Sequence, residues 1–346
     1  MYEIEVRQAV IEITNRCNLR CPHCASNSGR VRQDEMTLDE MCRVIADLRM
    51  LGCQAITLLG GEFVLRSDWY EIAQAVKSAG IALQIATNGI LVDERIRRQL
   101  LSLDLQTIGV SIDGATPASY QAMRGVDGFA KCRQLVDDLV SGGQREVHVI
   151  TTFNAKNLED FDLFVAQLVD MPFVWQIQMA HDGGERFPKD MLMTREQFIW
   201  LAEKIASAAE LYGERLKLLT MDDFGYFPMS SHFQNVCNFW GGCQAGRRVI
   251  GIRANGDVLP CLSLGDRFIS ANLRTRPLVE IWRDPSSFPG FRDQPECLTG
   301  KCARCPFAST CRAGCHAMAF SQTGTLTETT FCLRQVEQDR ILSILG

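Results

Sequence analysis

All but four of the fifteen cysteines fall into tight groups, and the exceptions are Cys42, Cys53, Cys132 and Cys297. The first group is Cys17-x3-Cys21-x2-Cys24, in the run RCNLRCPHCA. Soft thiolate ligands select iron–sulfur clusters or zinc. A four-iron cluster held by three cysteines keeps one iron open for a small chelating ligand, and no fourth cysteine follows nearby. His23 lies inside the loop, so a zinc site completed by that imidazole is the competing reading, although zinc sites more often use paired short spacings. The second group runs Cys237-x5-Cys243, then Gly256 and Cys261, then Cys302-x2-Cys305-x5-Cys311-x3-Cys315, and ends at Cys332. Eight such cysteines suffice for two four-thiolate sites, of iron–sulfur or of zinc. The chain opens with MYEIEVRQAVIEIT, which lacks the layout of an export signal. In a reducing compartment metal ligation is the better use for these thiols than disulfides. The expected location is therefore the cytoplasm.

The elements that must position these residues alternate. Candidate strands are AVIEIT (9–14), QAITLL (54–59), IALQIA (81–86), LQTIGVSID (105–113), EVHVITT (146–152) and FVWQIQM (173–179). Between them lie stretches with apolar residues at helical spacing, such as 38–51, 68–80 and 158–170, and a further helix ends near Tyr212. Six strand–helix units in a row predict a parallel sheet with right-handed crossovers. Six units make a partial (β/α)6 TIM barrel, and function in such folds gathers at the carboxyl ends of the strands. The cysteine loop, Gly60-Gly61-Glu62 and Thr87-Asn88-Gly89 each follow a strand directly. The expected organisation is a barrel over 1–215, a linker over 216–236, and a loop-rich domain with a C-terminal helix over 237–346. A net charge of −5 offers no basic excess for nucleic acid, and no apolar run is long enough for a membrane span.

The spacing CxxxCxxC after a first strand resembles the radical S-adenosylmethionine (SAM) superfamily, and the resemblance continues in order along the barrel. Gly60-Gly61-Glu62 follows the second strand like the family's Gly-Gly-Glu run, with Phe63 where proline is usual. Asn88 follows the third strand, Ser111-Ile112-Asp113-Gly114 the fourth, and Arg124-Gly125 lies downstream. Each run alone reads as a turn; four in sequence do not. The C-terminal cysteines resemble the SPASM domain. The resemblance implies three 4Fe-4S clusters. One, on Cys17, Cys21 and Cys24, would bind SAM, with contacts from Gly60, Gly61, Glu62, Asn88, Ser111, Asp113 and Arg124. Two auxiliary clusters would use Cys237, Cys243, Cys261 and Cys315, and Cys302, Cys305, Cys311 and Cys332. It also implies reductive cleavage of SAM to a 5′-deoxyadenosyl radical, which abstracts a hydrogen atom from the substrate.

SPASM members mostly resemble maturases of peptides or proteins, making crosslinks, thioethers or oxidations. A peptide or protein substrate and an electron donor such as flavodoxin or ferredoxin are the expected partners. Only sixteen residues precede Cys17, which leaves no room there for a fused peptide-recognition domain, so recognition is expected elsewhere in the chain or in a separate protein. Formylglycine formation of the sulfatase-maturase kind is an alternative, disfavoured because Leu262, not an acid, follows Cys261. A radical enzyme acting on a small metabolite is another, and a non-enzymatic electron carrier a third; the Gly-Gly-Glu run speaks against the last. Cys42, Cys53 and Cys132 read as small core hydrophobes and Cys297 as a loop spectator. His181-Asp182, after the sixth strand, reads as a loop cap or a proton-handling pair.

Overall fold

A computed structural model describes residues 4–183, 186–221, 224, 227–234, 236, 241–292 and 297–345. Its first six strands are β1 (Gln8–Glu12), β2 (Ala55–Leu59), β3 (Ala82–Thr87), β4 (Thr107–Ser111), β5 (Val147–Phe153) and β6 (Val174–Met179). They lie side by side in sequence order and every neighbouring pair is parallel. The crossovers are helices α1 (Leu38–Met50), α2 (Trp69–Ser78), α3 (Glu94–Ser102), α4 (Pro117–Arg124), α5 (Phe129–Ser141) and α6 (Phe161–Leu168), with α7 (Arg195–Tyr212) following β6. This is the partial barrel expected from the alternation of periods.

The local causes are visible in α1. Thr37 and Glu40 form a capping box at its start. Met41, Val44, Ile45 and Leu48 then bury one stripe against the sheet. In β3, buried and half-buried residues alternate strictly, so one face of the sheet packs under the helices. The other face lines an open lumen rather than a sealed core. A polar row can therefore cross it: Gln8 Nε2 donates to Thr57 Oγ1 at 3.1 Å, Thr57 Oγ1 to Gln84 Oε1 at 2.8 Å, and Gln84 Nε2 to Gln106 Oε1 at 3.0 Å.

Beyond α7 the chain is more ordered than its composition suggests. The stretch 216–236, expected as a linker, contains strand β7 (Leu218–Thr220), which pairs in parallel with β6. Three more strands, β8 (Val249–Ile252), β9 (Asp257–Leu259) and β10 (Ala271–Asn272), extend the sheet from its opposite edge, where β8 pairs in parallel with β1. The result is one ten-stranded sheet, ordered β10-β9-β8-β1-β2-β3-β4-β5-β6-β7. The segments VIGI and DVL are too short to stand out by period; VIGI is stabilised by pairing with β1, and DVL by pairing with VIGI in turn. Helices α8 (Leu278–Arg283), the single turns α9 (Gly300–Ala303) and α10 (Ala308–Cys311), α11 (His316–Thr323) and α12 (Leu333–Leu345) complete the chain. The last is the anticipated C-terminal helix.

One apolar core runs through both halves, from Ile11 and Leu58 to Trp282, Phe331 and Val336. Phe331, just before α12, stacks on Phe198 of α7 with ring centres 4.8 Å apart. Trp282 of α8 donates its indole N–H to the Ile4 carbonyl at 2.7 Å. Among the described residues no helix is long and apolar enough to cross a membrane.

A buried ion pair ties the junction. Glu12, at the end of β1 and 1% exposed, accepts both arms of Arg32 at 2.5 and 2.9 Å, and the Ala254 amide at 3.2 Å. Removing one partner of a buried pair strands the other charge, at a cost of about 3–5 kcal/mol. Arg32→Ala is thus expected to lower the midpoint of thermal unfolding markedly and Arg32→Lys to recover part of it, as followed by circular dichroism. An unchanged midpoint in Arg32→Ala would show that the junction does not depend on this pair.

Candidate functional site

The carboxyl ends of β1 to β6 open onto a cavity of about 510 Å³. Cys17, Cys21 and Cys24 all line it, and all three are free thiols. Their loop is fixed by backbone groups and by a carboxylate. Glu35 accepts from Thr14 Oγ1 at 3.0 Å and from the Asn15 amide at 2.9 Å. Within the loop the Leu19 amide points at Cys17 Sγ, 3.3 Å away, and Asn88 Nδ2 approaches the same sulfur at 3.8 Å. Burial pushes the Cys17 thiol up to about 11, against the opposing Leu19 amide. Burial likewise raises Cys21, against the pull of Arg124. Such thiols ionise on meeting a cationic centre, and ligation releases their protons. The donor set is all sulfur, the amide N–H groups favour a metal thiolate, and the space beside the loop is open, so these residues fit an iron–sulfur cluster with one iron free.

The glycine pair after β2 is there for close approach. A Cβ on Gly60 would stand 2.4 Å from the Thr14 carbonyl oxygen, and one on Gly61 2.1 Å from that of Arg16. The two backbones are hydrogen-bonded instead: the Gly61 amide donates to Thr14 O at 2.8 Å and the Glu62 amide to Arg16 O at 2.7 Å. Only glycine lets the β2 turn lie against the root of the cysteine loop.

The two acidic residues singled out in the sequence sit behind the cavity wall rather than on it. Glu62 is 1% exposed; its carboxylate accepts from Thr87 Oγ1 at 2.6 Å and from the Asn88 amide at 2.8 Å. With both oxygens engaged it holds the β3 turn. Burial raises this carboxyl up to about 7, although Thr87 and Asn88 favour its ionised form. Asp113 is fully buried and accepts from the Thr152 amide at 2.8 Å, from His23 Nε2 at 2.9 Å and from Arg124 at 2.6 Å. Burial alone would raise it, but Arg124 and His23 hold it below the usual carboxylate range. Arg124 in turn reaches Cys21 Sγ at 3.8 Å. Gly60, Gly61, Asn88, Ser111 and Arg124 do line the cavity.

Three residues here were not legible as site residues. His23, read from sequence only as an alternative zinc ligand, is the link between the cysteine loop and Asp113. Cys132, read as a core hydrophobe, is indeed fully buried, yet its thiol lies 3.2 Å from the Asn88 carbonyl and 3.3 Å from the Tyr120 hydroxyl. It braces the same β3 turn from below. Tyr120 has no sequence signal at all, because only the packing of α4 against α5 brings it there.

The C-terminal cysteines divide between two cavities. Cys243, Cys261 and Cys315 line the cavity already described, together with the first cysteine loop, and Cys237 lies outside the described residues. Cys302, Cys305, Cys311 and Cys332 together line a second cavity, also about 510 Å³, walled by Phe307, Ala308 and the Gln335, Gln338 and Ile341 side of α12. Burial pushes the Cys332 thiol up to about 11 and raises that of Cys302. The resemblance implied sets that divide in the same way, with Cys237 joining Cys243, Cys261 and Cys315. Among the described residues no three His, Cys, Asp or Glu side chains are grouped to hold a single metal ion.

Against known proteins, residues 11–168 match the radical SAM superfamily and residues 243–306 match SPASM, an iron–sulfur cluster-binding domain. The chain is 28% identical over 336 residues to AdoMet-dependent heme synthase of Methanosarcina barkeri, covering 93% of this chain and 95% of that protein. It is 26% identical over 344 residues to PqqA peptide cyclase of Rhizobium meliloti, covering 95% and 88%. The fold is that of SuiB of Streptococcus suis, solved with S-adenosylmethionine, at a TM-score of 0.77 and 18% identity over 96% of this chain and 78% of that one.

The buried Glu62 carboxyl has a pH consequence. Its folded value, about 7, lies above its ordinary 4.5. The stability it contributes is complete below about pH 4.5 and is lost as pH rises through 7. Relative to Glu62→Gln, the wild type should therefore lose stability between about pH 5 and 8. Parallel pH-stability curves for the two proteins would show that Glu62 does not titrate there.

Proposed function

We propose that this chain, which belongs to the radical SAM superfamily and carries a SPASM domain, is a maturase that removes a hydrogen atom from a peptide or protein segment and leaves a crosslink, thioether or oxidation. The carrying observation is the shared cavity: the first cysteine loop and Cys243, Cys261 and Cys315 face the same space. In this reading Cys17, Cys21 and Cys24 hold the SAM-binding 4Fe-4S cluster. Cys237, Cys243, Cys261 and Cys315 hold a second cluster, and Cys302, Cys305, Cys311 and Cys332 a third. With SAM bound, the first cluster supplies reductive cleavage to a 5′-deoxyadenosyl radical.

The remaining work belongs to the chain. Gly60 and Gly61 present backbone to the methionine end of SAM beside the open iron, and Asn88, Ser111 and Arg124 complete its wall. Glu62 and Asp113 act by positioning: one holds the Asn88 turn, the other holds His23 and Arg124. Eight cysteines for two auxiliary clusters leave no iron for the substrate, so these sites suit electron transfer. An acidic redox protein such as flavodoxin or ferredoxin is the proposed electron source. The free thiols and oxygen-sensitive centres suit a reducing compartment, and we place the protein in the cytoplasm.

Similarity to a peptide cyclase supports a peptide substrate. Similarity to a heme synthase supports a second reading, in which the substrate is a small molecule. The two separate in one assay, where 5′-deoxyadenosine release is stimulated either by peptides encoded beside the gene or by a tetrapyrrole precursor.

Anaerobically reconstituted protein should hold about twelve irons, four per cluster. Replacing Cys17, Cys21 and Cys24 with Ala should lower this to about eight and abolish SAM cleavage. Two equivalents of zinc with about four irons would overturn the auxiliary clusters.

A further inference from the structure

The loop after β6 carries an imidazole that neither the fold nor the ligand sets use. His181 lines the shared cavity and is partly exposed there. Its ring makes no hydrogen bond with any described residue. It also differs from two other histidines on this wall: Nδ1 of His23 and Nδ1 of His316 are sealed in without partners, whereas the His181 nitrogens are not. The ring is held by shape. A Cβ on Gly183 would stand 2.7 Å from His181 Cε1 and 2.9 Å from Nδ1, so these atoms rest on the glycine backbone and Nε2 lies farther off.

The loop itself is fixed. The Gly183 amide donates to the His181 carbonyl at 2.8 Å, and the Asp182 amide to Ser321 Oγ of α11 at 2.8 Å. The same Gly183 Cβ position lies 3.3 Å from the Ser263 carbonyl, two residues past Cys261. His181 therefore stands where the barrel meets the C-terminal cysteine region, in the wall of the space that a substrate must enter. Among the described residues the cavity wall contains no Asp or Glu to compete for a proton.

We propose that Nε2 of His181 accepts a proton from the substrate, and that the substrate segment accordingly bears an X–H group (a thiol, hydroxyl, amide or aromatic C–H) beside the attacked carbon. The inference rests on the maturase reading above. The balance is as follows. The substrate C–H bond breaks and its hydrogen atom completes 5′-deoxyadenosine. The X–H bond breaks, a new C–X bond or C=X double bond forms, and the proton goes to Nε2. One electron is left over and passes to an oxidised iron–sulfur cluster. Without a positioned acceptor for the proton, the carbon radical is carried on to product more slowly and is lost to side reactions. Burial pulls His181 down to about 4, so the ring is neutral at pH 7, although a weaker base than a free imidazole, and the proton it takes must pass on to solvent.

The test uses reconstituted holoenzyme, SAM, a chemical reductant and synthetic peptides covering the short reading frames beside the gene. In His181→Gln, iron content and 5′-deoxyadenosine release should stay near wild type, while product per 5′-deoxyadenosine falls about 100-fold, the usual range for losing a general base. Deuterium from labelled substrate should still appear in 5′-deoxyadenosine. Gly183→Ala, which pushes the ring off its seat, should uncouple in the same way, and added imidazole should restore product to His181→Ala. Undiminished coupling in His181→Gln overturns the inference and leaves the maturase reading standing. Loss of iron or of SAM binding in His181→Gln likewise overturns it, by making the residue structural. No peptide-stimulated cleavage in the wild type overturns the maturase reading, and this inference with it.

Discussion

A single buried carboxylate holds the site together. Asp113, at the end of β4, accepts from the Thr152 amide beside it in β5, from His23 in the cysteine loop and from Arg124 at the end of α4. Each contact joins a different part of the chain to one point. An ionised carboxylate taken out of water is costly unless its acceptor sites are filled. Here three donors, one of them a permanent cation, fill them. Losing any donor would leave a buried charge partly unpaired, so the three elements are held in register by the same requirement. The Arg124 guanidinium then stands beside Cys21 Sγ, at 3.8 Å. A positive charge next to a cluster thiolate is one of the levers that set a cluster's potential.

Glu62 repeats the device at the neighbouring strand with a different outcome. It is as deeply buried as Asp113, but among the described residues it accepts only from a hydroxyl and one amide, with Arg124 acting on it from beyond hydrogen-bond reach. Burial therefore prevails and the carboxyl rises to about 7, where that of Asp113 falls. The difference suits the jobs. Asp113 must keep its charge to hold Arg124, whereas Glu62 needs only acceptor geometry to hold a turn. Cys132 and Tyr120 brace that turn from the helix side, so the Asn88 wall is fixed from both directions.

The sequence made the cysteine groups legible and left their supports obscure. Cysteine spacing is a local property, so the CxxxCxxC loop stands out within one segment, whereas the division of the later cysteines, with Cys311 and its x3 neighbour Cys315 on different cavities, came only from the family resemblance. Six strands and the longer helices were readable because period and length act within one segment. Strands β7 to β10 were not, since two to four residues carry too little pattern, and the pairing that joins β8 to the barrel is with β1, about 240 residues earlier. The same reason hid the roles of Glu62 and Asp113. Position after a strand marks a residue as belonging to the active end of the barrel, but whether its side chain points into the cavity or behind it depends on partners twenty-five to ninety residues away, such as Thr87 and His23.

The shared sheet changes how the C-terminal region relates to the barrel. Had it been tethered only by a linker, the distance between Cys17 and Cys261 would vary with linker motion. Instead β8 pairs with β1 along four residue positions, and β1 is the strand whose end begins the first cysteine loop. The β9 strand and Cys261 follow from β8 through a short turn. The relative position of the two cysteine sets is thus fixed by a parallel ladder, by the Glu12–Arg32–Ala254 junction and by the common core. Electron and proton transfer both depend steeply on distance, and a substrate reacting between the two sets needs both ends of its reaction path held still. A continuous sheet supplies that stiffness with backbone hydrogen bonds, leaving the loops between strands free to carry the groups that meet the substrate.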